Sequence, residues 1–283
     1  MAIAHELARR LEGVSALDKV TKPLTALVGR ALRPRPIRNL LSGTNLGHPL
    51  HPMLTDLPIG AWSMSALLDT VGGRDAQPAA DLLVGAGILA ALPTAATGLN
   101  DWSDTYGPET RVGLVHASAN VAALGLYVAS LIARRQGKRG RGRVLGLAGL
   151  GALTVGGYLG GHLSFVAGVK VNHTAFEHRP AQWTPVLAES ELADGEHRKA
   201  LAGEAPVLLY RDGEQVLALA NTCSHAGGPL DKGQFTDGCV TCPWHASTFR
   251  LADGIIVRGP ASTPQPTYDT RIRDGQIEIR ART

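Results

Sequence analysis

The chain has 283 residues, room for two ordinary domains, and carries a formal net charge of +4. Its basic residues gather in an N-terminal arm and one loop, and neither interleaves them with aromatics, which excludes nucleic acid as an expected partner. Composition divides the chain. The first two thirds hold long Ala, Leu and Gly runs, and the remainder is mixed and polar with Asp-Gly turns, which places a boundary near Ala181.

Residues 1–46 read as an amphipathic arm. Ile3, Leu7, Leu11, Val14 and Leu17 recur at helical spacing with Arg and Lys between them. Such a helix lies on a membrane, on the second domain, or against a bundle of its own chain. No cleavable signal peptide is expected.

Residues 47–169 read as a four-helix transmembrane domain. Runs 82–99, 112–133 and 144–169 contain no Asp, Glu, Lys or Arg, and each meets the roughly 18 residues a span needs. A fourth, from about Pro52, is clean over 57–68 but bracketed by Asp56 and Asp69. The alternative is a buried helix of a soluble bundle. Four antiparallel spans put both ends of the domain on one side, and His48, His51, His116 and His162 all fall toward that side, as do Asp56, Asn100, Asp101, Trp102 and Asn120.

Ionisable groups in a span signal function, because burying them unpaired is costly. Three uses fit these. His116 and His162 suit axial ligation of haem b between the third and fourth spans. With His51 and Asp56 they also suit a quinone or proton site, and they equally suit hydrogen bonds that tie the bundle together. Gly156-Gly157 and Gly160-Gly161 form overlapping GxxxG patterns, expected to serve close packing within the bundle. GHPLHPMLTDLPIG at 47–60, Asp101-Trp102, the His116 segment and YLGGHL at 158–163 resemble a family of bacterial multi-pass membrane proteins of unknown function. That resemblance implies topology and no activity.

A linker at 170–180 precedes a domain at 181–283. All three cysteines lie between Asn221 and Ser247. Cys223-Ser224-His225 and Cys242-Pro243-Trp244-His245 give C-x-H followed by C-x-x-H. Zinc sites more often pair C-x-x-C with H-x3-5-H, whereas two thiols and two imidazoles in this order suit a [2Fe-2S] cluster. The segment from about Gln182 onward resembles the Rieske family, through CSHAGGPL, CPWHASTF and GPASTPQP at 259–266. The resemblance implies that Cys223 and Cys242 hold the inner iron and His225 and His245 the outer one. It also implies that the loop containing Pro260 covers the cluster.

Departures from the family bear on tuning. Quinol-oxidising members carry a disulfide where this chain has Gly228 and Trp244, and two hydroxyl donors where it has Ser247 and Phe249. Ser247 keeps one donor and Phe249 loses the other, so a potential in the lower part of the family range is expected. Cys239 is left as a small apolar residue. The rest reads as a small all-β domain, with hairpins turning at Asp212-Gly213, Asp253-Gly254 and Asp274-Gly275.

The expected function is a membrane-anchored one-electron carrier exchanging electrons with a redox partner protein or quinone, its lipid contacts made by the spans. Alternatives are a redox-responsive sensing or binding module, and a ferredoxin component of an oxygenase or nitrite-reducing system whose catalytic subunit is a separate chain. No mononuclear iron site of two histidines and a carboxylate is visible, so no catalytic residue is assigned. Arg134, Arg135, Lys138, Arg139, Arg141 and Arg143 concentrate in one loop, which favours a cytoplasmic position for it and an external cluster domain in the cell membrane. Arg134-Arg135 also suggests a twin-arginine signal, with an ordinary anchoring loop the better-supported reading.

Overall fold

The computed structural model describes residues 3–282. Among the described residues there are seven α-helices, α1 (Ile3–Glu12), α2 (Asp18–Ala31), α3 (Arg35–Ser42), α4 (Leu50–Val71), α5 (Gln77–Trp102), α6 (Gly107–Arg135) and α7 (Arg139–Phe165). Ten strands follow. They are β1 (Thr184–Ala188), β2 (His197–Ala202), β3 (Ala205–Asp212), β4 (Gln215–Ala220), β5 (Gln234–Thr236), β6 (Cys239–Thr241), β7 (Thr248–Arg250), β8 (Ile256–Arg258), β9 (Thr267–Arg273) and β10 (Gln276–Ala281). The chain forms two compact units. One comprises residues up to Arg33 with Pro49–Val169, and the other Pro34–His48 with residues from Lys170 onward.

In the first unit α5, α6 and α7 are long and apolar enough to cross a membrane. Prolines at the first turns of α5 and α6 start these helices where an N–H would be unsatisfied anyway. The 22-residue α4 carries Asp56, Pro58 and Asp69 within it.

Small residues set the helix contacts. Gly142, Gly146, Gly149, Gly156 and Gly160 of α7 face Arg134, Ser130, Tyr127, Asn120 and His116 of α6 in antiparallel order. A Cβ at Gly156 would stand 2.7 Å from the Asn120 amide, and one at Gly149 2.9 Å from the Tyr127 ring. The GxxxG pattern therefore seats large and polar side chains between two helices of one bundle.

Arg134 is 6% exposed and belongs to the bundle's end, not to a free basic loop. It donates to Asp69 and, at 2.9 Å, to Asp81, while Arg139 reaches the same two carboxylates at 3.2 and 3.0 Å. Arg143 lies 3.5 Å from Asp69. Asp69 near the end of α4 and Asp81 near the start of α5 thus neutralise arginines of α6 and α7.

Residues 3–33 of the arm pack on the bundle, whereas its residues 34–46 belong to the second unit. Ala8 of α1 is buried with Val112 and Leu159, Arg111 grips Asp18 at 2.7 and 3.0 Å, and His162 Nε2 lies 2.7 Å from Glu12.

In the second unit, one sheet runs β1-β10-β9-β4-β3-β2 and a smaller one β5-β6-β7-β8, with antiparallel neighbours throughout. β3 is buried on both faces. Val207 and Leu209 enter a core with Ile277 and Ile279, and Leu208 enters another with Cys223, Cys242 and Phe249. That explains why its sequence is a nearly continuous apolar run. Asp274 and Gly275 both take positive φ in the β9–β10 turn, as a tight two-residue hairpin requires.

Removing Arg134 leaves Asp69 buried beside fewer cations. Arg134→Ala is expected to cost about 3–5 kcal/mol in detergent unfolding, whereas Arg141→Ala, at an exposed position, leaves the transition in place.

Candidate metal centre

Two loops of the second unit converge. The first leaves β4 through Asn221, whose side chain bridges to Asp231 in both directions, at 2.7 and 2.8 Å. The second leaves β6. Each closes in the same way around its cysteine. Cys223 N–H donates to Gly228 O and Cys242 N–H to Ser247 O, both at 2.8 Å. Their carbonyls accept from Gly227 N–H at 2.9 Å and Ala246 N–H at 3.1 Å. Gly227 and Ala246 both take positive φ, 78° and 59°, so the same turn is built once on glycine and once on alanine.

The turns deliver Cys223, His225, Cys242 and His245 to one place. The two thiols hydrogen-bond each other, and the two imidazoles cross edge-on with centroids 4.9 Å apart. Backbone N–H groups of His225 and Ala226 point at Cys223, and those of Trp244 and His245 at Cys242. Cys242 ionises first, lowered to about 7 by the hydrogen bond from Cys223. That bond, with burial, pushes Cys223 up. Burial, then the nearby charges of Lys170, His245, Arg38 and His173, lowers His225 well below the ordinary histidine value and keeps it neutral. Convergent thiols held by N–H donors and neutral imidazoles suit a cluster with two sulfur and two nitrogen ligands.

The positions expected to tune a cluster surround this centre. A Cβ at Gly228 would stand 2.9 Å from Cys242 Sγ and 3.0 Å from the Trp244 ring, so only glycine lets the loops close. Ser247 is fully buried, and its Oγ accepts from Ala261 N–H at 3.0 Å. Phe249 is buried with both cysteines and brings no polar atom. Cys239 sits on β6, opposite Thr236 and Arg250.

Other residues hold the loops. Gln265 accepts from Ser224 N–H at 3.0 Å and donates to Ala220 O and Thr222 O at 2.7 and 2.5 Å, bracing the first loop from the covering segment. Lys170 Nζ donates to Pro260 O at 3.3 Å, and His173 N–H to Ser224 O at 3.1 Å.

The segment at 34–48 straps the Pro260 loop from outside. Asn39 accepts from Gly259 N–H at 2.8 Å and donates to Val257 O at 3.3 Å, and Thr44 Oγ1 donates to Ala261 O at 2.8 Å. A Cβ at Gly259 would meet Thr44 Oγ1 at 2.6 Å.

The histidines of the first unit divide differently from the sequence expectation. His51 and His116 come together, ring centroids 6.4 Å apart. His162 instead meets Glu12 and His5, and Asp56 is exposed on α4.

Residues 182–269 match the model of the Rieske [2Fe-2S] domain, and residues 47–173 that of a predicted membrane protein domain, DUF2231. The anthranilate 1,2-dioxygenase ferredoxin subunit of Burkholderia cepacia is 34% identical over 99 residues, covering 35% of this chain and 92% of that one. Ferredoxin CarAc of Metapseudomonas resinovorans is 28% identical over 98 residues, 34% of this chain and 92% of its own. The solved ferredoxin of carbazole 1,9a-dioxygenase from Nocardioides aromaticivorans IC177 is 27% identical, covers 36% of this chain and 99% of its own, and has a TM-score of 0.34. The chain belongs to the Rieske [2Fe-2S] family, and its Rieske domain is fused behind the predicted membrane domain. A Rieske domain is an electron-carrying [2Fe-2S] domain.

Asn39→Ala leaves a buried backbone N–H of the covering loop without its acceptor, a loss of about 1–3 kcal/mol. Asn39→Ala and Thr44→Val are expected to lower the temperature at which the visible cluster absorption bleaches, with far-UV circular dichroism unchanged below that point. An unshifted bleaching temperature in both would show that the strap does not hold the loop.

Proposed function

We propose that the chain is a membrane-anchored one-electron carrier. In this reading α4 joins α5, α6 and α7 as a fourth span, and the cluster is held by Cys223 and Cys242 on one iron and His225 and His245 on the other. The observation that carries it is the pair of loops with matching closing hydrogen bonds, which bring two thiols and two imidazoles together in a chain that also carries membrane-length helices. When bound, the cluster supplies a single reversible electron.

The chain's own residues shape how that electron leaves. His225 is 8% exposed and has Lys170 and His173 beside it. His245 is more open, flanked by the exposed Pro243 and by Trp244 at 53% exposure. A partner approaching the second loop meets His245 as its nearest ligand, with Trp244 as an apolar contact. Rigid strands behind both loops keep the ligands in place on oxidation and reduction.

A second reading, a ferredoxin component serving an oxygenase on a separate chain, is favoured by the identity to ferredoxin subunits over nearly their whole length. The two readings share the centre and differ in the acceptor, which is a quinone or membrane protein in one and a soluble oxygenase in the other.

Phe249 carries no hydroxyl toward the sulfurs, so a midpoint potential in the lower part of the range from roughly −150 to +300 mV is expected in an EPR-monitored redox titration. Phe249→Tyr raises it, and Cys242→Ser abolishes the signal. A wild-type value at the positive end would contradict the assignment of these tuning residues.

A further inference from the structure

The helical hairpins α4–α5 and α6–α7 are two versions of one unit. His51, Trp62, Ser65 and Asp69 on α4 are spaced as His116, Tyr127, Ser130 and Arg134 are on α6. The first three of each set make the same contact with the helix that follows. His51 Nδ1 meets Thr94 O at 3.0 Å, and His116 Nδ1 meets Gly156 O at 2.7 Å. His51 rests on Gly98 and His116 on Gly160, while Trp62 rests on Gly87 and Tyr127 on Gly149. Ser65 donates to Ala80 O at 2.9 Å and Ser130 to Gly142 O at 2.6 Å.

The equivalent residues also meet one another. Trp62 stacks on Tyr127 at 4.1 Å and 10°, Asp69 pairs with Arg134, and His51 faces His116 at 6.4 Å. Residues that touch their own counterparts lie on a two-fold axis, so the bundle is a pseudo-dimer of hairpins. Repeats that enter from the same side share an axis along the membrane normal, and membrane proteins built from repeats often place ligands at that seam.

We propose that His51 and His116 are the two axial ligands of one iron porphyrin bound on this axis. A carbonyl can only accept, so each Nδ1 carries the proton and each Nε2 keeps its lone pair for a metal. His51 Nδ1 also lies 3.3 Å from Thr97 Oγ1. Asn120 Nδ2 lies 3.4 Å from both His116 nitrogens while donating to His116 O at 2.9 Å, too long to occupy Nε2 firmly. Two imidazoles bound head-on to one metal at about 2.0–2.1 Å have centroids roughly 6 Å apart, close to the spacing seen.

Among the described residues no third His, Cys, Asp or Glu groups with His51 and His116 as a metal-holding set. A bare zinc ion would need more protein ligands, whereas a porphyrin supplies the equatorial four itself. Thr94, Gly98, Gly156 and Gly160, which back the rings, are all small. The expected haem pair is thus His51 with His116, on α4 and α6, and not His116 with His162.

The test is hemin titration of the full chain in detergent, read by its absorption spectrum and low-temperature EPR. One low-spin b-type haem per chain is expected, with Soret, α and β bands. His51→Ala and His116→Ala each abolish the low-spin signal, and His162→Ala leaves it unchanged. The Cys242→Ser chain, lacking the cluster signal, retains the haem bands, so failure of the cluster assignment and failure of this one are separable. A wild-type chain that gains no Soret band with hemin overturns the proposal even if the histidine variants do not fold. So does a low-spin signal that survives both alanine changes.

Discussion

The close approach of the two ligand loops is what the second unit is arranged around. Gly228 meets Cys242 Sγ where no Cβ fits, and the two thiols reach each other only because that contact is made. Holding such loops together without a disulfide, which the free cysteines Cys223, Cys239 and Cys242 do not form, falls to hydrogen bonds. Asn221, Gln265 and Ser247 each bind backbone groups of the ligand or covering loops. The strap at 34–48 adds Asn39 and Thr44 from a distant part of the chain. Each bond satisfies a group that would be costly to bury alone.

The first unit solves its packing with the opposite material. Between helices of membrane-spanning length, apolar side chains would gain little from one another in lipid, and the contacts seen are close approaches and polar pairs. Glycine opposite a large residue supplies the first along α5 and α7, and the Asp69, Asp81, Arg134 and Arg139 network supplies the second. In an internally repeated bundle the two hairpins differ most where they pair, acid on one side and arginine on the other. That difference favours pairing of unlike hairpins.

Much of this was readable in local sequence. The C-x-H and C-x-x-H pairs whose side chains converge, the β-hairpin turns and the use of GxxxG for close packing follow from short-range spacing, because each is a property of one turn or one helix face. Residues acting across long separations left no such trace. Asn39 and Thr44 lie more than two hundred positions from the loop they hold. His51 and His116 meet across an axis that no single helix reveals, and the expected partner His162 is taken up by Glu12. Arg134 looked like part of a solvated basic loop because spacing carries charge but not burial. Its carboxylate partners come from two other helices.

Pulsed EPR of the dithionite-reduced full chain, prepared with nitrogen-15 histidine and recorded in washed membranes, tests the central claim most directly. Couplings to two inequivalent histidine nitrogens, carried by a cluster signal that stays with the membranes, are the predicted result. A cluster signal without histidine nitrogen coupling, or one found only in the soluble fraction, would contradict the account.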